Sequence, residues 1–517
     1  MMKMQYQRTV VALAVSAALA IPAVSFATNG FFAIGVGSKA NSMGGAAIGM
    51  AQDAQVAGSN PAGMSFLSSN RMDAGLQVFN PNREGGLNAV NFGGADSGTV
   101  ESGADYFLVP NAAFAMQMGK DMTVGMSIYG NGGMNTRYEE NIYNTALAPA
   151  AAANADAIEA NYDANDALSP ADLENAWVLD SAALAQGLGA TPGTGASDTL
   201  GINLAQLIIA PSVSYKLNED HAIGASLLLG YESFRAYGLG LFTGLSADPG
   251  NVTNNGNDGS FGVGIRVGWT GKLADNFMMG VTGASKTYMQ EFDSYSGLLA
   301  EQGDLDIPAN FGFGMSFKPV NDLTLALDVT RILYEGVASV SNKGPTADQF
   351  ANDFGRFLCT ANEGALAQSG APDDGIDTCG PQAAGGIGVD TTTAQMGDDN
   401  GYGFGWEDQT VVKVGVSYVY SNEWTFNAGY NHGSNPIGSD QVLLNILAPA
   451  VVENHITLGT VFSPTSDQEI TVAYVRALEE DMQDTSTVTA GSSAGANYTA
   501  SNAMDQNSIE VSYGYKF

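Results

Sequence analysis

From residue 71 to the last residue, hydrophobic and polar positions alternate with a period of two. Ile509, Val511, Tyr513, Tyr515 and Phe517 alternate with Ser508, Glu510, Ser512, Gly514 and Lys516. Phe261, Val263, Ile265, Val267 and Trp269 alternate with Gly262, Gly264, Arg266, Gly268 and Thr270, and Val412 to Tyr420 repeats the pattern. Such a dyad is a β-strand with one apolar face. In a water-soluble sandwich the polar face would meet solvent and carry many charges. Here it is mostly Gly, Ser, Thr and Ala, which suits a confined lumen with the apolar face turned to lipid.

The segments predict strands near 71–79, 106–118, 122–130, 206–217, 221–237, 259–272, 276–291, 308–317, 322–335, 406–420, 424–430, 451–462, 468–477 and 506–517, fourteen in all. Short turns at Lys120-Asp121, Asn218-Glu219-Asp220, Ala274-Asp275, Pro319-Val320-Asn321, Ser421-Asn422-Glu423 and Pro464-Thr465-Ser466 alternate with long loops. These turns leave no room for helical crossovers, so the strands are antiparallel. The expected fold is all-β, a 14-stranded antiparallel transmembrane β-barrel, because a closed barrel leaves no strand edge unpaired in lipid.

Composition narrows the class further. Charged residues are 14% of the chain against roughly 25% in soluble domains, and the net charge of -34 excludes a nucleic-acid partner. After residue 27 no run of apolar residues is long enough for a helical span. Before it, Lys3 and Arg8 precede the apolar run Val10 to Ile21 and the small-residue exit Ser25-Phe26-Ala27. This reads as a secretory signal peptide over 1–27.

Two loops, about 131–205 and 336–405, are far longer than a structureless connection usually is. In the first, Ser169, Pro170, Asp172 and Glu174 mark a helix start, after which Leu173, Trp177 and Leu184 share one face. That face packs on neighbouring loops or forms a groove for a hydrophobic ligand. In the second loop, Cys359 and Cys379 have no metal-ligand spacing. In an exported chain they are expected to form one disulfide, with two free thiols the alternative. His221, His432 and His455 lie on separate segments with no nucleophile or acid at a motif spacing, so no catalytic site, cofactor or metal is expected.

Residues 28–70 are rich in Gly and Ala and lack alternation, and form either a periplasmic tail or a plug. Within them stand Gly44-Gly45-Ala46-Ala47, Asp53-Ala54 and Asn60-Pro61-Ala62-Gly63. Further along stand Trp406-Glu407-Asp408, Asn427-Ala428-Gly429-Tyr430, Asn435-Pro436-Ile437 and Ile456-Thr457-Leu458-Gly459. In these motifs the chain resembles the long-chain fatty acid transporter (FadL-type) outer-membrane channels, which include uptake channels for aromatic hydrocarbons. The resemblance implies a bacterial outer-membrane protein, monomeric, inserted by the barrel assembly machinery among outer-membrane lipid and lipopolysaccharide. It implies an N-terminal hatch over 28–70 inside the barrel of 71–517, passive uptake of hydrophobic small molecules such as long-chain fatty acids, and sideways release through a gap at the third strand. That strand ends here in Gly130-Asn131-Gly132-Gly133. The insertions at 145–200 and 336–405 depart from the family pattern and leave the substrate open.

Turning apolar positions outward points Arg266, Lys286 and Lys413 into the lumen. They are candidate partners for a ligand carboxylate, with Arg266 and Lys286 expected to converge across a short turn. The alternative is pairing with the lumenal acids Asp328, Glu232 and Glu510. A general aqueous porin and a surface structural or adhesive barrel are the competing functions.

Overall fold

Fourteen antiparallel strands close into one ring: β1 Arg71–Asn88, β2 Phe107–Met118, β3 Met122–Asn135, β4 Gly201–Lys216, β5 His221–Tyr237, β6 Asp258–Ala274, β7 Phe277–Ala284, β8 Asn310–Val320, β9 Leu323–Ile332, β10 Gln409–Val419, β11 Trp424–Gly433, β12 Asn454–Thr465, β13 Gln468–Thr487 and β14 Asn497–Lys516. Each pairs with its neighbour in sequence, and β14 closes the ring on β1 from Arg71↔Lys516 to Asn88↔Thr499. The Phe517 amide seals the seam by donating to the Asn70 carbonyl at 2.9 Å. Two shorter segments, Asp96–Glu101 and Tyr288–Met289, pair with β1 and β6 on the long-loop side. This computed structural model describes residues 29–147, 149, 199–350, 394–489 and 495–517. The expected leader, the expected helix of Leu173 and Trp177, and Cys359 and Cys379 lie outside the described residues.

The outer wall is apolar. Phe261, Val263, Ile265 and Val267 on β6 are each 54–62% exposed, and every other strand contributes residues to the same band. So much exposed apolar surface is untenable in water and is what lipid requires. Tyr418, Tyr420, Trp424, Tyr513 and Phe517 ring the short-turn end, where amphipathic rings favour the membrane interface. No helix among the described residues is long and apolar enough to cross a membrane.

Three strands rise beyond this band, and there the alternation changes phase. In β14, Ile509 points outward at 53% exposure, whereas Met504, five positions earlier and so on the opposite face, is 2% exposed. Tyr498 and Ala500 join Met504 inside, in a core that gathers Tyr138, Tyr143, Phe242, Tyr334 and Trp406 from the long loops. The reason is solvent. Below the boundary lipid lies outside, so apolar residues face out; above it water lies outside, and they face in.

Residues 29–70 run inside the ring. Helix α1 (Ser38–Asn41) and helix α2 (Val56–Ser59) are separated by bends at Gly44 and Gly45, both in the left-handed region that favours glycine, and Asn60 links α2 to the 3₁₀ turn Pro61–Phe66. Their contacts circle the wall. Asn41 donates to Glu510 on β14 at 2.6 Å, the Gly44 amide to Thr457 on β12 at 2.9 Å, and the Ala47 and Ile48 amides to Asp328 on β9 at 2.7 and 2.9 Å. Ser316 on β8 donates to the Gly49 carbonyl at 2.9 Å, the Ala54 amide to Asp73 on β1 at 2.9 Å, and Ser65 shares a 2.7 Å bond with Ser214 on β4. At the short-turn end Lys39 pairs with Glu469 at 2.6 Å, which also accepts Arg71 and Lys516.

Candidate functional site: a cavity and an unpaired stretch of wall

Asn60 fixes the bend of the inner segment. Its side-chain amide donates to the Ile48 carbonyl at 3.0 Å, the Trp269 carbonyl at 3.1 Å and the Thr270 hydroxyl at 3.0 Å. Its oxygen accepts the Ala62 amide at 3.2 Å, capping the 3₁₀ turn that Pro61 opens. The fit against β6 is close, since a Cβ at Gly268 would stand 2.1 Å from the Asn60 oxygen. Gly63 sits against Val56 in the same turn.

Between this segment and the wall lies a cavity of about 90 Å³. Phe32, Ala33, Val36 and Ile48 line it from the inner segment, and Tyr129, Asn131, Asn310, Thr330, Ile332 and Val411 from the strands. Arg266 of β6 and Lys413 of β10 both reach it. Arg266 donates to the Ser59 carbonyl at 3.2 Å and to Asn310 at 3.4 Å, while its buried Nε has no partner. Lys413 donates to the Ile34 carbonyl at 2.7 Å. Neither makes an ion pair among the described residues.

The expected convergence of Arg266 with Lys286 is not what the fold produces. Strand β7 ends at Ala284, short of the range expected from the sequence, and Thr287 leaves to bridge Ile307. Lys286 therefore turns to Asp306, at 2.8 Å, and to the Gly336 carbonyl, at 3.0 Å, and it is absent from the cavity lining. None of the three lumenal acids forms an ion pair with Arg266 or Lys413 either, although Asp328 attracts Lys413 across the register. Asp328 is held by the Ala47 and Ile48 amides, Glu510 by Asn41 and Asn111, and Glu232 by Gln206 at 2.7 Å. Asp328 does face Lys413 in register. Tyr129 and Asn310, inward neighbours of Arg266, were not singled out by sequence; the inward phase of Tyr129 one residue before the glycine run was the available signal.

At that glycine run the register pairing of β2 with β3 stops. β2 and β3 pair from Met118↔Met122 only as far as Asn111↔Tyr129. Asn131 is an extra residue in the register with β4, between Gly130↔Leu207 and Gly132↔Gln206. Beyond it β3 gives its free edge to the inner segment: the Ala33 amide donates to the Asn131 carbonyl and the Gly133 amide to the Phe31 carbonyl, both at 3.0 Å. Gly132 must be glycine, because a Cβ there would stand 1.6 Å from the Phe31 oxygen. Pairing with the β2 side resumes only where the Gly103 amide donates to the Arg137 carbonyl at 2.8 Å. Between these closures, 104–110 and 130–136 have no register partners in one another among the described residues.

Solved structures share this architecture. The Pseudomonas putida toluene transporter TodX aligns over 95% of this chain and 100% of its own, at 17% identity and a TM-score of 0.57. A Pseudomonas aeruginosa FadL homologue aligns over 94% and 100% at 13% identity and a TM-score of 0.57. The fold is that of the FadL-type channels. The Ralstonia pickettii toluene transporter TbuX aligns with this FadL-type barrel over 94% and 99%, at 13% identity and a TM-score of 0.51. No family model matches the chain, and no curated protein matches it in sequence.

Proposed function

We propose that this chain is a bacterial outer-membrane channel for passive uptake of hydrophobic small molecules, with long-chain fatty acids as the favoured class. In this reading residues 28–70 are a hatch that blocks free diffusion, the cavity receives the ligand, and the unpaired stretch between β2 and β3 is its sideways exit. The observation that supports the preference for acids is the pair Arg266 and Lys413, two cations on one partly apolar cavity, neither of them in an ion pair among the described residues, with Asp328 opposite Lys413 near enough to attract it. Burying a charge unpaired costs several kcal/mol, and a ligand carboxylate offsets that cost.

The toluene transporters of the same fold make neutral aromatic hydrocarbons the second reading. A cavity of about 90 Å³ holds a head group and not a long tail, so the tail enters only as the hatch shifts. The reading against a general porin rests on the hatch, whose hydrogen bonds reach strands all round the ring.

The test is mass spectrometry of lipids extracted from the purified protein, together with uptake by cells carrying the chain with Asn131 deleted. Removing the extra residue restores continuous register in β3 and closes the exit. Enrichment of free fatty acids and loss of uptake on deletion are expected. Enrichment of neutral aromatics would favour the second reading, and undiminished uptake by a folded deletion variant would refute the sideways exit.

A further inference from the structure

The unpaired stretch of wall has a cation stretched across it. Arg83 lies on the inward face of β1 and is buried. One terminal nitrogen of its guanidinium donates to the Asn135 carbonyl, on the β3 side of the opening, and the other to the Ala104 carbonyl, on the β2 side. The group is packed over the Phe107 ring, 5.7 Å from its centre, on the strand that forms one flank. Its Nε is buried with no hydrogen-bond partner, and no acid forms an ion pair with it among the described residues.

A structural arginine deep in a wall is ordinarily paired with an acid; this one has Asp105 near enough to attract it but not in an ion pair, and its hydrogen bonds go to two neutral carbonyls from opposite sides of a gap. Hydrogen bonds between a guanidinium and a carboxylate are roughly twice as strong as those between neutral groups, and the planar fork accepts a carboxylate in a bidentate fashion. An arriving anionic head group therefore competes well for the donors that tie the two flanks together.

We propose that Arg83 is a clasp on the sideways exit, opened by the ligand's own carboxylate. In the resting state the guanidinium bridges Asn135 and Ala104 and keeps 104–110 close to 130–136. A carboxylate at the opening takes over the fork, both carbonyls are released, and the flanks separate to let the hydrocarbon tail follow. A neutral molecule offers no such exchange. Arg83 thus forms a second anion site, distinct from Arg266 and Lys413, and favours acids at the exit. The inference rests on the sideways-exit reading above.

The test compares uptake of oleate with that of oleyl alcohol, which has the same tail without the charge, in cells carrying Arg83→Met, Arg83→Lys or the Asn131 deletion, each checked for the folded, heat-modifiable barrel. Arg83→Met is expected to lower oleate uptake about tenfold, the effect of one lost charge-assisted hydrogen bond, and to leave oleyl alcohol at or above its original rate. Arg83→Lys, which keeps a cation for the head group, is expected to retain oleate uptake within about threefold. An unchanged oleate-to-alcohol ratio in Arg83→Met overturns the proposal. If that variant does not fold, equal loss of both probes in Arg83→Lys overturns it. Should the Asn131 deletion leave both probes unaffected, it is the sideways exit that fails. Should it block both while the ratio in Arg83→Met stays fixed, only the clasp fails.

Discussion

The Lys413 ammonium donates to the Ile34 carbonyl at 2.7 Å, so a wall cation is held by the backbone of the inner segment. The contact couples two things that are separate in sequence: the seating of the segment and the charge of the cavity. On the proposed reading, a ligand that drew Lys413 to its own carboxylate would also loosen the segment's grip on β10.

Replacing Lys413→Met and Arg266→Gln together is expected to weaken oleate binding to the purified protein by about ten- to hundred-fold, the size of one or two lost charge-assisted hydrogen bonds. Oleyl alcohol binding is expected to change by less than twofold. Titration calorimetry with both compounds checks this, and oleate affinity within twofold of the original would assign the two cations a structural role.

Asn60→Ala removes three side-chain donations and the cap of the 3₁₀ turn. It leaves the Ile48 carbonyl and Thr270 unmatched in a buried site, which costs on the order of 2 kcal/mol in the seating of the inner segment. The expected outcome is intermittent conductance steps in planar bilayers where the original protein is closed. A silent trace from the variant would remove Asn60 from the plug.

Gly132→Val places atoms where the Phe31 carbonyl now sits. The segment at 31–33 should detach from β3 while the barrel stays folded. Hydrogen exchange checks it: the Ala33 and Gly133 amides should lose protection and the β10–β14 ladder should keep it.

Asp304, in the loop after β7, has its carboxyl pushed up from 3.8 to about 6, by burial first and then by Asp306 and Glu301, with Lys286 pulling the other way. A raised acid favours the folded loop when protonated, so this contribution is complete below about pH 4 and is lost as pH rises toward and through 6. Limited proteolysis at 293–307 should therefore accelerate between pH 4.5 and 7, and Asp304→Asn should flatten that dependence. A slope unchanged by the substitution would assign the effect to another group.

The barrel was legible in the sequence wherever lipid lies against it, because one solvent on one face imposes a simple dyad. It was not legible in the upper parts of β1, β13 and β14. There Asn497, Thr499 and Ser501 alternate with Tyr498, Ala500 and Asn502, polar residues occupy both faces, and the apolar phase has inverted. The cavity was legible in part. Strand phase turned Arg266 and Lys413 toward the cavity, but phase extrapolated along β7 beyond Ala284 misplaced Lys286, since regular β7 pairing had already stopped there and Thr287 turns to Ile307. Arg83 escaped notice because its partners are backbone carbonyls, which carry no side-chain signature.

The change of phase along β14 also acts as a depth mark. It sets the edge of the hydrocarbon between Met504 and Ile509, next to Asn80 on the paired strand. The flank of the proposed opening crosses the same edge: Leu108 is apolar and turned to lipid, Tyr106 is the most exposed aromatic residue among the described residues, and Asp105 beside it is tied by its carbonyl to Asn80. On the proposed sideways exit, a molecule leaving there would be delivered at the surface of the leaflet nearest the long loops, polar end level with the head groups and chain among the acyl tails. It would already be oriented as a membrane lipid and would not have to turn over or cross the bilayer midplane to join that leaflet.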